Sequence, residues 1–167
     1  MTDEKRLYLV RHAIAAERGE AFPDDGKRPL TEKGIERFRE IVAGLTELDV
    51  EIDVVLTSPL VRARQTADLL ATGLRSSPRL VETRALAPGA SYQALLDELA
   101  VLSDQEAIAL VGHEPGLGQL AGRLIGTRHP LPFKKGGVCR IDLDGLPPAG
   151  PGRLVWFATP RMLRGIG

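Results

Sequence analysis

Arg11 and His12 close the apolar run Leu7-Tyr8-Leu9-Val10 and open the turn at Ala13. A short run of this composition reads as a buried strand, and open α/β sheets collect reactive groups just beyond the carboxyl ends of their strands. An imidazole held there beside a guanidinium can attack a phosphoryl group while its neighbour neutralises the oxygens. Alone, an Arg-His dipeptide more often means a solvated Arg beside a hydrogen-bonded His. Two later segments shift that balance. Val54-Val55-Leu56-Thr57 runs into Ser58-Pro59-Leu60-Val61-Arg62, and Leu110-Val111 runs into Gly112-His113-Glu114-Pro115-Gly116.

Both segments pass from an apolar strand into a turn and then a helix. Ser58 is read as the N-cap, Pro59 as the first helical residue, and Arg62 lies one turn in. If the three strands are neighbours in one parallel sheet, Arg11, His12, Arg62 and His113 converge on one pocket. Two guanidiniums would then bind phosphoryl oxygens bidentately, one His would attack phosphorus, and the other would donate a hydrogen bond to the transferring group.

The order of these residues resembles the histidine phosphatase, or phosphoglycerate mutase-like, superfamily. Arg11-His12 resembles its Arg-His-Gly signature with Ala13 in place of Gly, and Ser58-Pro59-Leu60-Val61-Arg62-Ala63-Arg64-Gln65-Thr66-Ala67 resembles its second block. Gly112-His113 resembles the block of its second histidine. Within the superfamily the chain is most similar to the short SixA-like branch, the phosphohistidine phosphatases. Arg28-Pro29-Leu30-Thr31, Leu86-Ala87-Pro88-Gly89, His113-Glu114-Pro115 and Ala158-Thr159-Pro160 carry that further likeness. The resemblance runs from Leu7 to about Leu163. It implies that His12 is the nucleophile, that Arg11, Arg62 and His113 form the phosphate pocket, and that Arg28 contacts phosphate or substrate. Many relatives place a general acid after the third strand, where Glu82 is the nearest candidate. Ala13 keeps the signature position small, although a positive φ there would strain it.

An alkoxide leaving group needs a proton, whereas the imidazole of phosphohistidine leaves readily, so a weak candidate acid favours the latter substrate. The span from Arg62 to His113 has no room for the lid that long relatives insert, which suits a histidine displayed on a protein. The expected activity is therefore a metal-independent phosphatase acting on phosphohistidine of a signalling or phosphocarrier protein, with no cofactor. The alternatives are a small-molecule phosphomonoesterase using the same pocket, and a phosphohistidine-binding module without turnover; the intact His12 argues against the latter.

At 167 residues the chain reads as a single domain able to bury a core. Its 22 basic and 22 acidic residues cancel, so bulk charge gives no sign of a nucleic-acid partner. The single Cys139 cannot form an internal disulfide, and no apolar run is long enough to cross a bilayer, which points to a cytoplasmic protein. His129 and Lys134-Lys135 read as solvated loop residues. Gly116-Leu117-Gly118 and Gly136-Gly137 lack the context of a nucleotide fingerprint, and the arginines around His12 and His113 would repel a metal.

Strands and helices alternate. Glu17–Pro29 forms a polar loop over the carboxyl edge of the sheet. Thr31 caps a helix to about Leu48, Ser91 caps another, and a further helix covers Gly116 to Ile125. Gly137–Leu143 and Arg153–Ala158, flanking a Pro/Gly-rich segment, form a terminal antiparallel hairpin. The predicted architecture is α/β: a three-layer α/β/α sandwich whose mostly parallel sheet has an antiparallel edge near the C-terminus.

Overall fold

The computed structural model describes residues 3–167. Six strands, β1 (Glu4–Arg11), β2 (Val54–Thr57), β3 (Arg79–Glu82), β4 (Ala107–Gly112), β5 (Val138–Asp144) and β6 (Arg153–Ala158), form one sheet in the order β3-β2-β4-β1-β5-β6. The first four are mutually parallel; β5 runs antiparallel to β1, and β6 antiparallel to β5. This is the expected sandwich with its terminal hairpin.

Alternation along the inner strands explains the layers. Tyr8, Val10, Val55, Ala109 and Val111 face one apolar cluster, while Leu7, Leu9, Val54, Leu56, Ile108 and Leu110 face a second. Strands apolar on both faces need helices on both faces. Helices α1 (Glu32–Glu47) and α2 (Val61–Gly73) cover the first cluster, joined by the short α5 (Pro160–Arg164), whose Leu163 is buried there. Helices α3 (Tyr92–Val101) and α4 (Gly116–Ile125) cover the second. Thr31 and Ser91 cap α1 and α3 as expected, accepting from the N–H groups of Gly34 and Ala94. Cys139 lies in the second cluster, where burial pushes its thiol up to about 12.

One helix start differs from expectation. Helix α2 begins at Val61, with Leu60 at its N-cap and no side-chain cap, rather than at Pro59 with Ser58 as cap. The Ser58 hydroxyl is instead committed to the site described below.

Candidate active site

Parallel pairing puts the ends of β1, β4 and β2 side by side: Arg11 pairs with Gly112, and Thr57 with Val111. The residues that follow, His12, His113 and Ser58, therefore meet at one edge. The two imidazole centroids lie 5.2 Å apart, and His12, His113, Arg62 and Arg28 are all less than a tenth exposed. Arg62 enters from the first turn of α2. Arg28 enters from the loop before α1, just after a single 3-10 turn at Asp25–Lys27.

His12 is fixed by its backbone and by its ring. Its N–H donates to Gly112 O at 3.1 Å, and its carbonyl accepts from Gly136 N–H at 3.1 Å. Gly136, which also donates to Arg11 O, has φ +85°, and a Cβ there would press on Ile41. His12 Nδ1 lies 2.7 Å from Ala13 O. A carbonyl can only accept, so Nδ1 carries the proton and Nε2 keeps its lone pair. Ala13 has no positive φ, so the Ala-for-Gly change carries none of the strain that such a backbone would impose. Its N–H donates to Thr66 Oγ1 at 3.0 Å.

His113 Nε2 lies 2.7 Å from Ser58 Oγ, while its Nδ1 is buried without a partner. Arg11 Nη1 donates to Phe133 O at 2.8 Å, and Arg62 donates to Asp25 O and Oδ2 at 2.8 and 3.0 Å. In both arginines Nε is buried without a partner. Three inner donors, Arg11 Nε, Arg62 Nε and His113 Nδ1, thus lack a protein acceptor, an arrangement suited to the oxygens of a phosphoryl group.

His12 is pushed down to about 3, chiefly by burial and in addition by the electrostatic effects of His113, Arg62 and Arg11, against the opposing effect of the Ala13 carbonyl. Burial and Arg62 likewise push His113 down to about 4, against the raising effect of Asp25. Desolvation therefore leads and the cations add to it, so both rings are neutral at pH 7.

Glu114 adjoins Arg11, and a second carboxylate, Asp25, which sequence reasoning passed over in an aperiodic loop, lies among the other arginines. It accepts from Arg28 Nε at 2.8 Å and Arg62 Nη2 at 3.0 Å, and Arg18 Nε lies 3.3 Å away. Burial would raise Asp25, but Arg28 and Arg62 outweigh that and hold it below the ordinary carboxylate value. Glu82 is not brought into the cluster. It sits at the end of the edge strand β3, exposed, and accepts from Arg64 Nη1 at 2.6 Å. His129 lies in an exposed loop beyond α4.

Beside His113 opens a cavity of about 360 Å³ between the Ala85–Tyr92 segment and the start of α4. Leu86, Leu95, Leu117 and Leu120 give it apolar walls, and Arg123 stacks over the Tyr92 ring at 3.8 Å.

The family model of the histidine phosphatase superfamily (branch 1) matches residues 7–87. An uncharacterized protein of Picosynechococcus sp. is 41% identical over 140 residues, 79% of this chain and 81% of that one. Phosphohistidine phosphatase SixA of Escherichia coli (strain K12) is 26% identical over 161 residues, 95% of this chain and 96% of its own. A solved structure of the protein histidine phosphatase SixA complexed with tungstate matches with a TM-score of 0.83 at 26% identity, over 93% of this chain and 97% of that chain. By sequence and by fold, the chain belongs to the histidine phosphatase superfamily, in its SixA-like branch.

Proposed function

We propose that this phosphatase removes the phosphoryl group from phosphohistidine on a signalling or phosphocarrier protein, without a metal, through a phosphorylated His12. The observation that carries this reading is the trio of buried, unpartnered donors on Arg11, Arg62 and His113, grouped around a neutral imidazole whose Nε2 lone pair is free. Arg11, Arg62 and Arg28 bind the phosphoryl oxygens and His113 Nδ1–H stabilises the transferring group. The Nε2 lone pair of His12 forms a bond to phosphorus as the bond to the substrate's imidazole nitrogen breaks. That electron pair stays on the leaving imidazole, which takes its proton from solvent. Water then attacks phospho-His12, the P–N bond breaks, the lone pair returns to Nε2, and inorganic phosphate leaves with the surplus proton going to solvent.

The carboxylates support the choice of leaving group. Asp25 is ionised among arginines and Glu82 is paired with Arg64, so neither is poised to protonate an alkoxide. A second reading, a small-molecule phosphomonoesterase, is favoured by the cavity beside His113, whose 360 Å³ would admit the body of a small ester. The two are separated by kcat/KM for a phosphohistidine-bearing protein against a panel of sugar, alkyl and aryl phosphates. A clear excess for the phosphoprotein is expected; alkyl esters matching or exceeding it would give the second reading precedence.

A further inference from the structure

A second cavity, of about 270 Å³, lies on the opposite face of the sheet from the first, between α1, α5 and the loop that leads into β5. It shares no side chain with the cluster of His12, Arg62 and His113. Five cations line it: Arg37 from α1, Lys134 and Lys135 from the loop, and Arg161 and Arg164 from α5. Lys134 and Lys135 are exposed at a turn, as expected, and the fold gathers them with three arginines remote in sequence. Between them the cavity has apolar walls, provided by the partly exposed Ile14 and Pro160 and backed by the buried Phe38 and Ile41.

The charges are uncompensated. Among the described residues, no carboxylate lies within 4.0 Å of Arg37, Lys134, Lys135 or Arg161, and Arg164 meets only Glu40, at 4.0 Å. Arg164 Nε is in addition buried without a hydrogen-bond partner. In a chain of zero formal charge, five cations brought around one apolar hollow repel one another at a cost that an anion would relieve.

We infer that this cavity binds a soluble organic anion, a phosphate-type group carried on an apolar body: the arginines and lysines take the charge, and Ile14 and Pro160, the partly exposed apolar lining, take the body. The inference does not rest on the identity of the phosphatase substrate.

Phenylphosphonate is a suitable probe, because its C–P bond resists hydrolysis and its ring supplies the apolar body. Calorimetric titration should find two sites in the native chain, the catalytic pocket and this one. Arg62→Ala should lose the first and keep the second. Adding Lys134→Glu, Lys135→Glu and Arg161→Glu to Arg62→Ala should weaken the remaining site at least about tenfold, with an unchanged far-UV spectrum and melting temperature as the control for folding. Inorganic phosphate should bind the Arg62→Ala protein more weakly than phenylphosphonate does. Failure of Arg62→Ala to bind phenylphosphonate saturably, binding indifferent to the three charge reversals, or equal affinity for inorganic phosphate would each overturn the inference.

Discussion

Ser58 Oγ and His113 Nε2 are 2.7 Å apart although 55 residues separate them in the chain. Phosphoryl oxygens only accept hydrogen bonds, so a productive His113 carries its proton on Nδ1 and needs a donor at Nε2. The Ser58 hydroxyl is that donor, while its oxygen accepts from Leu60 N–H at 3.2 Å. Ser58→Ala should lower kcat by about tenfold with little change in KM, the signature of an interaction felt mainly in the transition state. Equal kcat in the variant would show that His113 keeps its tautomer unaided.

Loss of the nucleophile should be absolute. His12→Ala is expected to abolish both turnover and the acid-labile phosphoryl label on the protein. Because His12 is pushed down to about 3, the acid limb of kcat/KM should lie well below the ordinary histidine value of 6.5. Stoichiometric labelling of the variant would move the nucleophile elsewhere.

The same shifts act on stability. The unfolded chain protonates its histidines near pH 6.5, whereas the folded chain resists protonation at His12 and His113 down to about 3 and about 4. The unfolded state therefore binds more protons in that window, and stability is lost as pH falls through it, by up to about 1.4 kcal/mol per pH unit for each ring. Chemical denaturation of native and His12→Asn proteins between pH 7 and 4 should show a shallower decline in the variant.

Arg62 meets two demands at once, holding Asp25 through both terminal nitrogens and keeping Nε free. Lysine has no planar fork with which to do this. Arg62→Lys should cost about a hundredfold in kcat/KM, comparable to removing an oxyanion donor. Asp25→Asn, by contrast, removes a negative charge that competes with phosphate for Arg28 and Arg62, and should tighten inhibition by tungstate by about tenfold at low salt. Weaker inhibition in Asp25→Asn would mean that Asp25 serves to orient its arginines.

Glu82→Gln should leave hydrolysis of phosphohistidine and of aryl phosphates within about twofold of native, since the carboxylate is held by Arg64 on the surface. A selective collapse of alkyl phosphate hydrolysis in this variant would identify Glu82 as an acid.

What was legible in the sequence was local. The caps at Thr31 and Ser91 act on N–H groups three residues away, and the two-sided apolar strands announce their own burial. Arg11, His12 and His113 could be placed because strand ends and pairing order set their positions. The partners that tune them were hidden because they arise only on closure of the fold. Ser58 reads in the sequence as a helix cap, since its distant imidazole leaves no mark within a helical turn. Asp25 lies in a loop with no periodicity, and its meaning depends on two arginines brought to it from different elements. Gly136-Gly137 shows in the sequence only as a pair lacking the context of a nucleotide fingerprint, whereas the Gly136 N–H bonds the carbonyls of Arg11 and His12.

Those bonds bear on how a substrate meets His12 in the proposed reaction. His12 is tied on one side to Gly112 and on the other to Gly136, and its ring is tethered to Ala13. The proposed nucleophile is thus held on both flanks and at the ring, in place within the pocket. On the proposed phosphohistidine reading, the phosphorylated side chain of a partner travels inward to the pocket, which favours partners that display it on a protruding edge or a pliable segment. On the same reading the partner withdraws before water approaches phospho-His12 along the same line, so that its departure opens the second half of the cycle.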